Sequence, residues 1–368
     1  MELSKFFEGL KVVELASVLA GPAVGMFFAE LGAEVIKVEN PLTGGDVTRR
    51  WKLPNESPDA ALSAYYCCVN YQKKVRFINL KTTEGQAEVY ALAKEADIVI
   101  SNYTGRDAGK LGMSYEALAR LNPRLIYAHL TAFGEEVERP AFDVVLQAEA
   151  GYLFMSGEPG REPSKMPVAL IDILAAHQLK EGILLALLRR QQTGQGAYVS
   201  TSLLESAIAS LANQATNWLM AGFIPQPMGS QHPNIAPYGD IFLTQDRKAL
   251  VIAAGTERQF QTLCRVLQLA GLPEDERFST NARRVKNREA LNAVLSSSFL
   301  KYTRQEALDI LLEAKVPVGC IRNMEEVFEQ PRARAMVLEE LLPGGERTKR
   351  VKTVAFQARG LNPDTEFD

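Results

Sequence analysis

Residues 10–39 read LKVVELASVLAGPAVGMFFAELGAEVIKVE. Two short apolar runs, 11–15 and 34–39, have the composition of β-strands, and a helical pattern lies between them. The helical pattern begins at Gly21-Pro22, where a proline loses no hydrogen bond because the first N–H groups of a helix have no partner within it. A strand, a helix and a second strand in succession predict a parallel sheet with helices packed on both faces.

The alternation of strand and helix patterns continues through the first half of the chain. Strands are predicted at 75–80, 97–101, 125–129, 168–171 and 198–203, and helices at 84–95, 115–121, 173–192 and 205–220. Gly194 follows the long helix and suits a C-terminal cap. The predicted fold class is therefore α/β, with a parallel sheet covered by helices on both faces.

Length and composition argue against several classes of protein, namely nucleic-acid-binding, membrane-spanning and secreted ones. The chain has 368 residues, enough for roughly two domains of about 150 residues each. The 41 basic residues do not exceed the 44 acidic ones, which argues against a nucleic-acid partner. Apolar runs fall short of the roughly 20 residues that span a membrane, and the N-terminus lacks a secretory signal pattern. Four cysteines without zinc-type spacing indicate a reducing compartment, so we expect a cytoplasmic protein without a metal.

The turn after the first strand raises the alternative of an NAD-dependent dehydrogenase. A strand, a glycine turn, a helix and Glu39 at the end of the second strand imitate a dinucleotide-binding unit. The turn reads AGPAVG over residues 20–25, however, and lacks the Gly-x-Gly-x-x-Gly pattern that lets a pyrophosphate approach the backbone. We therefore rank the dehydrogenase last.

A series of short motifs carries a more specific signal. In chain order they are LKVVEL (10–15), AGP (20–22), LGAEVIKVE (31–39), NYQKK (70–74), ADIVISNY (96–103), KLG (110–112), NPRLIY (122–127), FD (142–143), Asp172, TGQG (193–196) and VPVG (316–319). This order resembles the CaiB–BaiF family, the family III CoA-transferases, which includes formyl-CoA transferase and α-methylacyl-CoA racemase. The resemblance covers most of the chain.

The resemblance implies an enzyme that moves coenzyme A from an acyl-CoA to a carboxylic acid, with Asp172 as its catalytic nucleophile. A carboxylate can attack a thioester and then carry CoA as an aspartyl-CoA thioester. An aspartate before an apolar helix is also a common N-cap, and the two roles are compatible because a helix N-terminus favours the ionised carboxylate.

The resemblance also implies the residues that contact coenzyme A. They are Val18, Leu19, Ala20, Asn40, Lys73, Asn102, Tyr103, Arg106 and Lys110. The chain departs from formyl-CoA transferase at Leu19, which replaces a glutamine, and at Asn40, which replaces an arginine. We expect Arg106, Lys74 or Arg50 to supply the cation that Asn40 does not.

Five residues are expected to contact the substrate or to belong to a loop that closes over it: Phe142, Asp143, His232, Tyr238 and Gly239. The last three lie in a proline-rich segment whose composition suits an interdomain linker equally well. This loop resembles that of succinyl-CoA–dicarboxylate CoA-transferases, which implies a dicarboxylic acceptor.

Two other functions stay open at this point. A racemase needs an acid/base pair at the substrate α-carbon, but the family's racemases have a histidine where this chain has Phe142. A CoA-binding protein without turnover would keep the same fold. We favour the transferase over both.

The family's architecture also implies how the domains are arranged along the chain and how subunits associate. It implies a large domain over 1–222 with a Rossmann-like parallel sheet, a smaller α/β domain over 223–315, and a segment, 316–368, that returns to the large domain. It also implies a homodimer whose subunits interlock like rings.

Overall fold

The computed structural model describes residues 3–342 and 344–357, which fall into two compact units. The first unit extends to Leu153, resumes over Lys165–Pro225 and resumes again from Ala335. The second unit consists of Phe154–Ser164 and Gln226–Arg334.

These units differ from the predicted domain ranges in two places. Residues 316–334 group with the second unit, because the strand Val318–Cys320 pairs with a strand of that unit. Phe154–Ser164 also joins the second unit, and its glycine and proline content, in the stretch FMSGEPGREPS, marks it as a loop without indicating which unit it joins. The proline-rich change near residue 223 lies close to the observed boundary after Pro225.

A six-stranded parallel sheet forms the centre of the first unit. Its strands are β1 (Lys11–Leu15), β2 (Glu34–Glu39), β3 (Lys74–Phe77), β4 (Ile98–Ser101), β5 (Ile126–Thr131) and β6 (Ala197–Ser202). Their order across the sheet is β3-β2-β1-β4-β5-β6, and every neighbouring pair is parallel. The predicted α/β class with a parallel sheet is confirmed.

Several α-helices lie in the first unit among the residues that the structure describes. They are α1 (Ala20–Glu30), α2 (Ala64–Cys67), α3 (Thr83–Glu95), α4 (Gly105–Lys110), α5 (Tyr115–Leu121), α6 (Asp143–Glu149), α7 (Tyr152–Met155), α8 (Leu170–Thr193), α9 (Leu203–Ala209) and α10 (Asn213–Ala221). One of them, α7, crosses into the second unit at Phe154. Helices α1 and α8 pack on one face of the sheet around Val24, Phe28 and Leu179, while α3 packs on the other face through Val89. Gly194 ends α8 in the left-handed conformation, as its position in the sequence predicts.

The second unit has its own small sheet and its own core. An antiparallel sheet of β7 (Tyr238–Leu243), β8 (Ala249–Ala253) and β9 (Val318–Cys320) has the order β7-β8-β9. The helices of this unit are α11 (Glu257–Val266), α12 (Asn281–Lys286), α13 (Arg288–Phe299), α14 (Arg304–Glu313), α15 (Met324–Phe328) and α16 (Pro331–Arg334). Phe242, Phe260 and Phe299 are fully buried in its core.

The chain then re-enters the first unit as an antiparallel hairpin, β10 (Val337–Leu341) and β11 (Arg347–Val351). After the hairpin, the backbone N–H groups of Thr353 and Val354 donate to the carboxylate of Glu30 at the end of α1. Within the described ranges, no helix is long and apolar enough to cross a membrane, and no group of three or more acidic, His or Cys side chains could hold a metal ion.

Candidate active site

Asp172 is the third residue of α8 and is buried, with 8% of its surface exposed. The predicted strand at 168–171 is wrong, because the helix already begins at Leu170. Ala169 occupies the N-cap position, where its side chain can accept no hydrogen bond from the first turn. Asp172 is therefore not the cap of its helix, and another residue must satisfy the free N–H groups.

That residue is Asp143, the first residue of α6. Its Oδ1 accepts the backbone N–H groups of Ile171 at 2.7 Å and Asp172 at 3.2 Å. Its Oδ2 accepts a hydrogen bond from the amide of Gln147, one turn later, and Gln147 also accepts the backbone N–H of Met166 at 2.9 Å. Asp143, which was expected to contact the substrate, instead fixes the start of the helix that carries Asp172.

Burial next to a second carboxyl group sets the charge state of Asp172. Burial, and then the charge of Asp143, raises the pKa of Asp172 to about 7. The helix N-terminus was expected to keep this carboxylate ionised, but burial and like charge outweigh that effect. Across the described chain, no hydrogen-bond donor or cation contacts the Asp172 carboxylate, so nothing offsets the cost of its burial.

Three aromatic residues lie around this site. The ring of Trp51 is 5.0 Å from that of Tyr65 and 6.2 Å from that of Phe142. Burial, followed by the nearby charge of Asp172, raises the pKa of Tyr65 to about 12, so its hydroxyl stays protonated. Phe142 is more than half exposed and lines a cavity, and its contact with substrate stays a prediction.

Trp51, Tyr65 and Gln147 were not predicted from the sequence. Gln147 stands four residues after Asp143, which is the spacing of neighbours on one helix face and could have been noticed. The segment that contains Trp51 and Tyr65 has no regular spacing of apolar residues. The sequence therefore gives no basis for predicting that these rings lie near residue 172.

The turn between β1 and α1 has an unusual backbone. Val18 has φ +73°, in the left-handed region that β-branched residues avoid. Its N–H donates to Asp46 at 3.2 Å, and the side-chain amide of Asn102 makes two hydrogen bonds to the backbone of Ser17. Leu19 is the N-cap of α1, and Ala20 is its first residue. The structure thus brings Val18, Leu19, Ala20 and Asn102 together at the carboxyl ends of β1 and β4.

A buried ion cluster lies beneath this turn. The Lys37 ammonium is 2.8 Å from Glu14, 3.2 Å from Asp46 and 2.8 Å from the carbonyl oxygen of Ala16, to which it donates. The Lys73 ammonium is 2.7 Å from the other oxygen of Glu14, and its side chain is fully enclosed. Burial acts to raise the pKa of Glu14, but Lys37 and Lys73 outweigh it and lower that pKa. Burial lowers the pKa of Lys73 to about 8, with Glu14 opposing.

This placement differs from the expectation that Lys73 contacts coenzyme A. Its ammonium donates to the carbonyl of Pro22 and to Asn70 in addition to facing Glu14. A phosphate could reach it only if the ion cluster were broken. Lys73 therefore supports the β1–α1 turn from below.

Two cavities open beside the turn, and both are lined by Tyr103. The first has a volume of about 440 Å³ and is lined by Asn40, Arg50 and Lys81, among others. The second has a volume of about 510 Å³ and is lined by Asn102 and Phe142, among others. Arg50 was expected as a replacement cation and does line a cavity, whereas Lys81 was not predicted.

Besides Lys73, three predicted cations lie outside the linings of these cavities: Arg106, Lys110 and Lys74, of which Lys74 pairs with Glu34 at 2.7 Å. Arg106 and Lys110 are exposed residues of α4, and Arg106 pairs with Glu138 at 3.2 Å. Asn40 is also exposed, and its side chain accepts the N–H of Leu42 at 3.0 Å, which caps a short turn of 3₁₀-helix.

The loop residues His232, Tyr238 and Gly239 belong to the second unit, where the structure brings them together. The N–H of His232 donates to the carbonyl of Tyr238 at 2.9 Å, and the two rings pack edge to face at 5.2 Å. Gly239 has φ +80°, and a Cβ there would meet the carbonyl oxygen of Ser230 at 1.8 Å. Arg288 donates to the carbonyls of His232 and Ile235, so the loop has a fixed conformation within its unit.

The first unit thus has a buried carboxylate at a helix start, an aromatic wall and two adjoining cavities at the carboxyl edge of a parallel sheet. The sequence model of CoA-transferase family III matches residues 7–365. The chain belongs to CoA-transferase family III. The predicted family is confirmed, and with it the enzyme class, which transfers coenzyme A from an acyl-CoA to a carboxylic acid.

Named relatives of this family III CoA-transferase agree with that assignment. It is 38% identical over 333 residues to a succinate–glutarate CoA-transferase of Agrobacterium fabrum, covering 89% of this chain and 82% of the relative. It is 34% identical to the succinyl-CoA:glutarate CoA-transferase of Homo sapiens, covering 89% of this chain and 74% of the relative. The crystal structure of a CaiB/BaiF family protein from Brucella suis superposes with a TM-score of 0.85 at 38% identity, covering 96% of this chain and 92% of that one. The alternative of a dehydrogenase is excluded by the family assignment.

Proposed function

We propose that Asp172 is the nucleophile of this CoA-transferase and that it carries coenzyme A as an aspartyl-CoA thioester. The observation that supports this most is the buried, unpartnered carboxylate at the start of α8, whose pKa is raised to about 7. A poorly solvated carboxylate is more basic than one in water, and at neutral pH a large fraction of it is ionised and able to attack.

The reaction proceeds by four displacements on acyl carbons. An oxygen of Asp172 attacks the thioester of the donor and expels CoA thiolate, leaving a mixed anhydride. The thiolate attacks the aspartyl carbonyl and releases the donor acid, which forms the aspartyl-CoA thioester. The acceptor carboxylate attacks this thioester, and the released thiolate then attacks the acceptor's acyl carbon, which regenerates Asp172. No net proton is taken up, and water must be kept from the anhydride.

Coenzyme A is proposed to occupy the two cavities that share Tyr103. Arg50 and Lys81 line the first of them and suit phosphate groups, whereas Lys37, which also lines it, is paired with Glu14 and Asp46. Lys73, which is enclosed by Glu14, is not part of this proposal. Phe142 lines the second cavity and directly precedes Asp143, which supports placing the acyl end of the ligand there.

A dicarboxylic acid is the proposed acceptor. The relatives from A. fabrum and H. sapiens are named for succinate, succinyl-CoA and glutarate. The loop around His232 and Tyr238 also resembles that of dicarboxylate enzymes. We therefore expect glutarate or succinate to be used more efficiently than a monocarboxylic acid of the same length.

The engagement of Asp143 argues against the racemase alternative. Both oxygens of Asp143 accept hydrogen bonds, from the start of α8 and from Gln147, and its neighbour Phe142 cannot transfer a proton. This side of the site therefore lacks the second acid/base group that α-proton exchange requires.

A homodimer is proposed on the basis of exposed apolar residues at the C-terminal end of α10. Trp218, Leu219 and Met220 are each more than half exposed, and Phe223 extends the same patch. Exposed apolar patches of this kind mark interaction surfaces. Cytoplasmic location stays a prediction from cysteine usage.

The nucleophile is tested by intact-protein and peptide mass spectrometry after incubation with succinyl-CoA. We expect a CoA adduct on the peptide that contains Asp172, which glutarate discharges as glutaryl-CoA. Asp172→Asn should form no adduct, whereas Asp59→Asn, at an exposed site, should behave as wild type. Deuterium exchange at the α-carbon of an acyl-CoA without any adduct would replace the transferase mechanism with the racemase one.

A further inference from the structure

The C-terminal hairpin, formed by β10 and β11, contacts the segment just before β3. Glu340, on β10, accepts the backbone N–H of Gln72 at 2.9 Å with one carboxylate oxygen, and its other oxygen is 2.8 Å from the guanidinium of Arg350, on β11. The Arg350 side chain is only 2% exposed, and its guanidinium lies 5.2 Å from the centre of the Tyr71 ring. A buried arginine therefore holds Glu340 in place beneath the backbone of Gln72.

Gln72 has a strained backbone. Its φ is +53°, in the left-handed region that residues other than glycine occupy only at a cost in free energy. The residue is exposed, so packing of its side chain does not hold this conformation. The hydrogen bond from its N–H to Glu340 is a charge-assisted one, which is stronger than a hydrogen bond between neutral groups. We therefore expect Glu340 to stabilise the left-handed turn at Gln72.

This turn directs the next residue, Lys73, into the interior. The Lys73 ammonium donates to the carbonyl of Pro22, in the first turn of α1, at 2.8 Å and is 2.7 Å from Glu14, on β1. It thus joins the two elements on either side of the β1–α1 turn. A Cβ at Gly25 would collide with the Glu14 carboxylate, so α1 lies directly on this ion pair. A displacement of Lys73 would consequently displace the turn, because closely packed groups transmit such shifts.

We propose that Glu340 is a positioning residue for coenzyme A, which acts through Gln72 and Lys73 to fix the β1–α1 turn. Ala16 and Ser17, which belong to that turn, line the first of the two cavities assigned to coenzyme A. The inference rests on the proposed function in one respect, namely this placement of coenzyme A. When the turn relaxes, the fraction of binding-competent protein falls, and the apparent dissociation constant rises in inverse proportion. Saturating ligand draws the relaxed molecules back, so the maximal rate is preserved.

The test compares Glu340→Ala with Glu339→Ala in the full chain. Glu339 precedes Glu340 on β10 and pairs with Lys349 at 2.7 Å, so it is a matched carboxylate whose ion pair is exposed. Calorimetry measures the Kd of coenzyme A, and steady-state kinetics measure KM for succinyl-CoA and kcat. We expect Glu340→Ala to raise Kd and KM about tenfold and to change kcat by less than about twofold. Glu339→Ala should change all three by less than about twofold.

Two further variants separate this role from a purely structural one. Glu340→Ala leaves the Arg350 guanidinium buried without its partner, so the double variant Glu340→Ala/Arg350→Met removes that charge as well and should show the same rise in Kd. Gln72→Gly in the Glu340→Ala background should return Kd to within about threefold of the wild-type value, because glycine adopts a positive φ without strain. A mere loss of folded protein would lower kcat and leave KM unchanged. Circular dichroism checks that each variant is folded.

Any of three results would overturn the proposal: a wild-type Kd for coenzyme A in the folded variants that lack Glu340, an equal loss of affinity in Glu339→Ala, or no recovery of affinity with Gln72→Gly. The binding measurements do not depend on the nucleophile. If the wild type forms a CoA adduct on Asp172 but Glu340→Ala binds coenzyme A normally, only this inference fails. If no adduct forms but the affinities change as expected, only the proposed nucleophile fails.

Discussion

Two buried clusters of charge in the first unit are built in opposite ways. Under the β1–α1 turn, the carboxylates of Glu14 and Asp46 face the ammonium groups of Lys37 and Lys73. At the start of α8, Asp143 and Asp172 face each other without a cation. In the first cluster, which we call compensated, positive charges neutralise the carboxylates. In the second, which we call uncompensated, no positive charge does so.

This difference separates a structural role from the catalytic role proposed for Asp172. In the compensated cluster, Coulomb attraction and hydrogen bonds offset desolvation, so the charges hold a strained turn in place. In the uncompensated cluster, the free energy of ionising Asp172 is raised, which makes its carboxylate more reactive when it is ionised. The buried carboxylate therefore lowers the stability of the folded protein, and in the proposed mechanism the same effect makes Asp172 a better nucleophile.

The largest expected effect comes from breaking the compensated cluster. Lys37→Met leaves Glu14 and Asp46 buried with one cation between them and should lower the free energy of unfolding by about 3–5 kcal/mol. Lys74→Met, on the neighbouring strand β3, removes an exposed pair with Glu34 and should change it by less than about 1 kcal/mol. Urea denaturation measures both. Similar losses in the two variants would show that the cluster is not stabilising.

Removing a charge from the uncompensated cluster should have the opposite effect and increase the free energy of unfolding. Because the pKa of Asp172 is raised in the folded state, the wild type loses stability as pH rises from its unfolded pKa near 4 to about 7. Asp172→Asn removes this loss and should stabilise the protein by about 4 kcal/mol above pH 7, with little gain near pH 4. The same variant should have no transferase activity. A thermal melting series from pH 4.5 to 8 tests this, and a gain independent of pH would contradict the assigned cause.

The smallest expected effect, a shift in the pH midpoint of adduct formation, tests whether the charge of Asp143 contributes to the raised pKa of Asp172. The rate of adduct formation should rise with pH through about 7 as Asp172 ionises. Asp143→Asn removes the neighbouring charge but keeps an oxygen for the N–H groups of Ile171 and Asp172, so the midpoint should move about one pH unit lower. Gln147→Glu adds a negative charge beside Asp143 and should move it the other way. An unchanged midpoint in both variants would mean that burial alone sets this pKa.

Local sequence patterns correctly predicted the strands and helices that are specified by residues close together in the chain. The strands β1 and β2, the helix between them and the Gly194 end of α8 follow from apolar periodicity and from the conformational freedom of glycine. The strand expected at 168–171 failed because its short apolar run fits a buried helix start equally well. What decides between them is Asp143, which lies far away along the chain and caps that helix.

The order of motifs along the chain was sufficient to identify the family, because these residue types and their order are fixed in the sequence itself; the role of residue 172 stays a prediction. Only the folded chain decided what surrounds that residue: Asp143 under its helix, the rings of Trp51 and Tyr65 beside it, and Lys73 turned toward Glu14 instead of a phosphate. Burial and charge pairing join residues that are distant in sequence, so no local pattern encodes them, and they are what sets the pKa and the reactivity of a side chain.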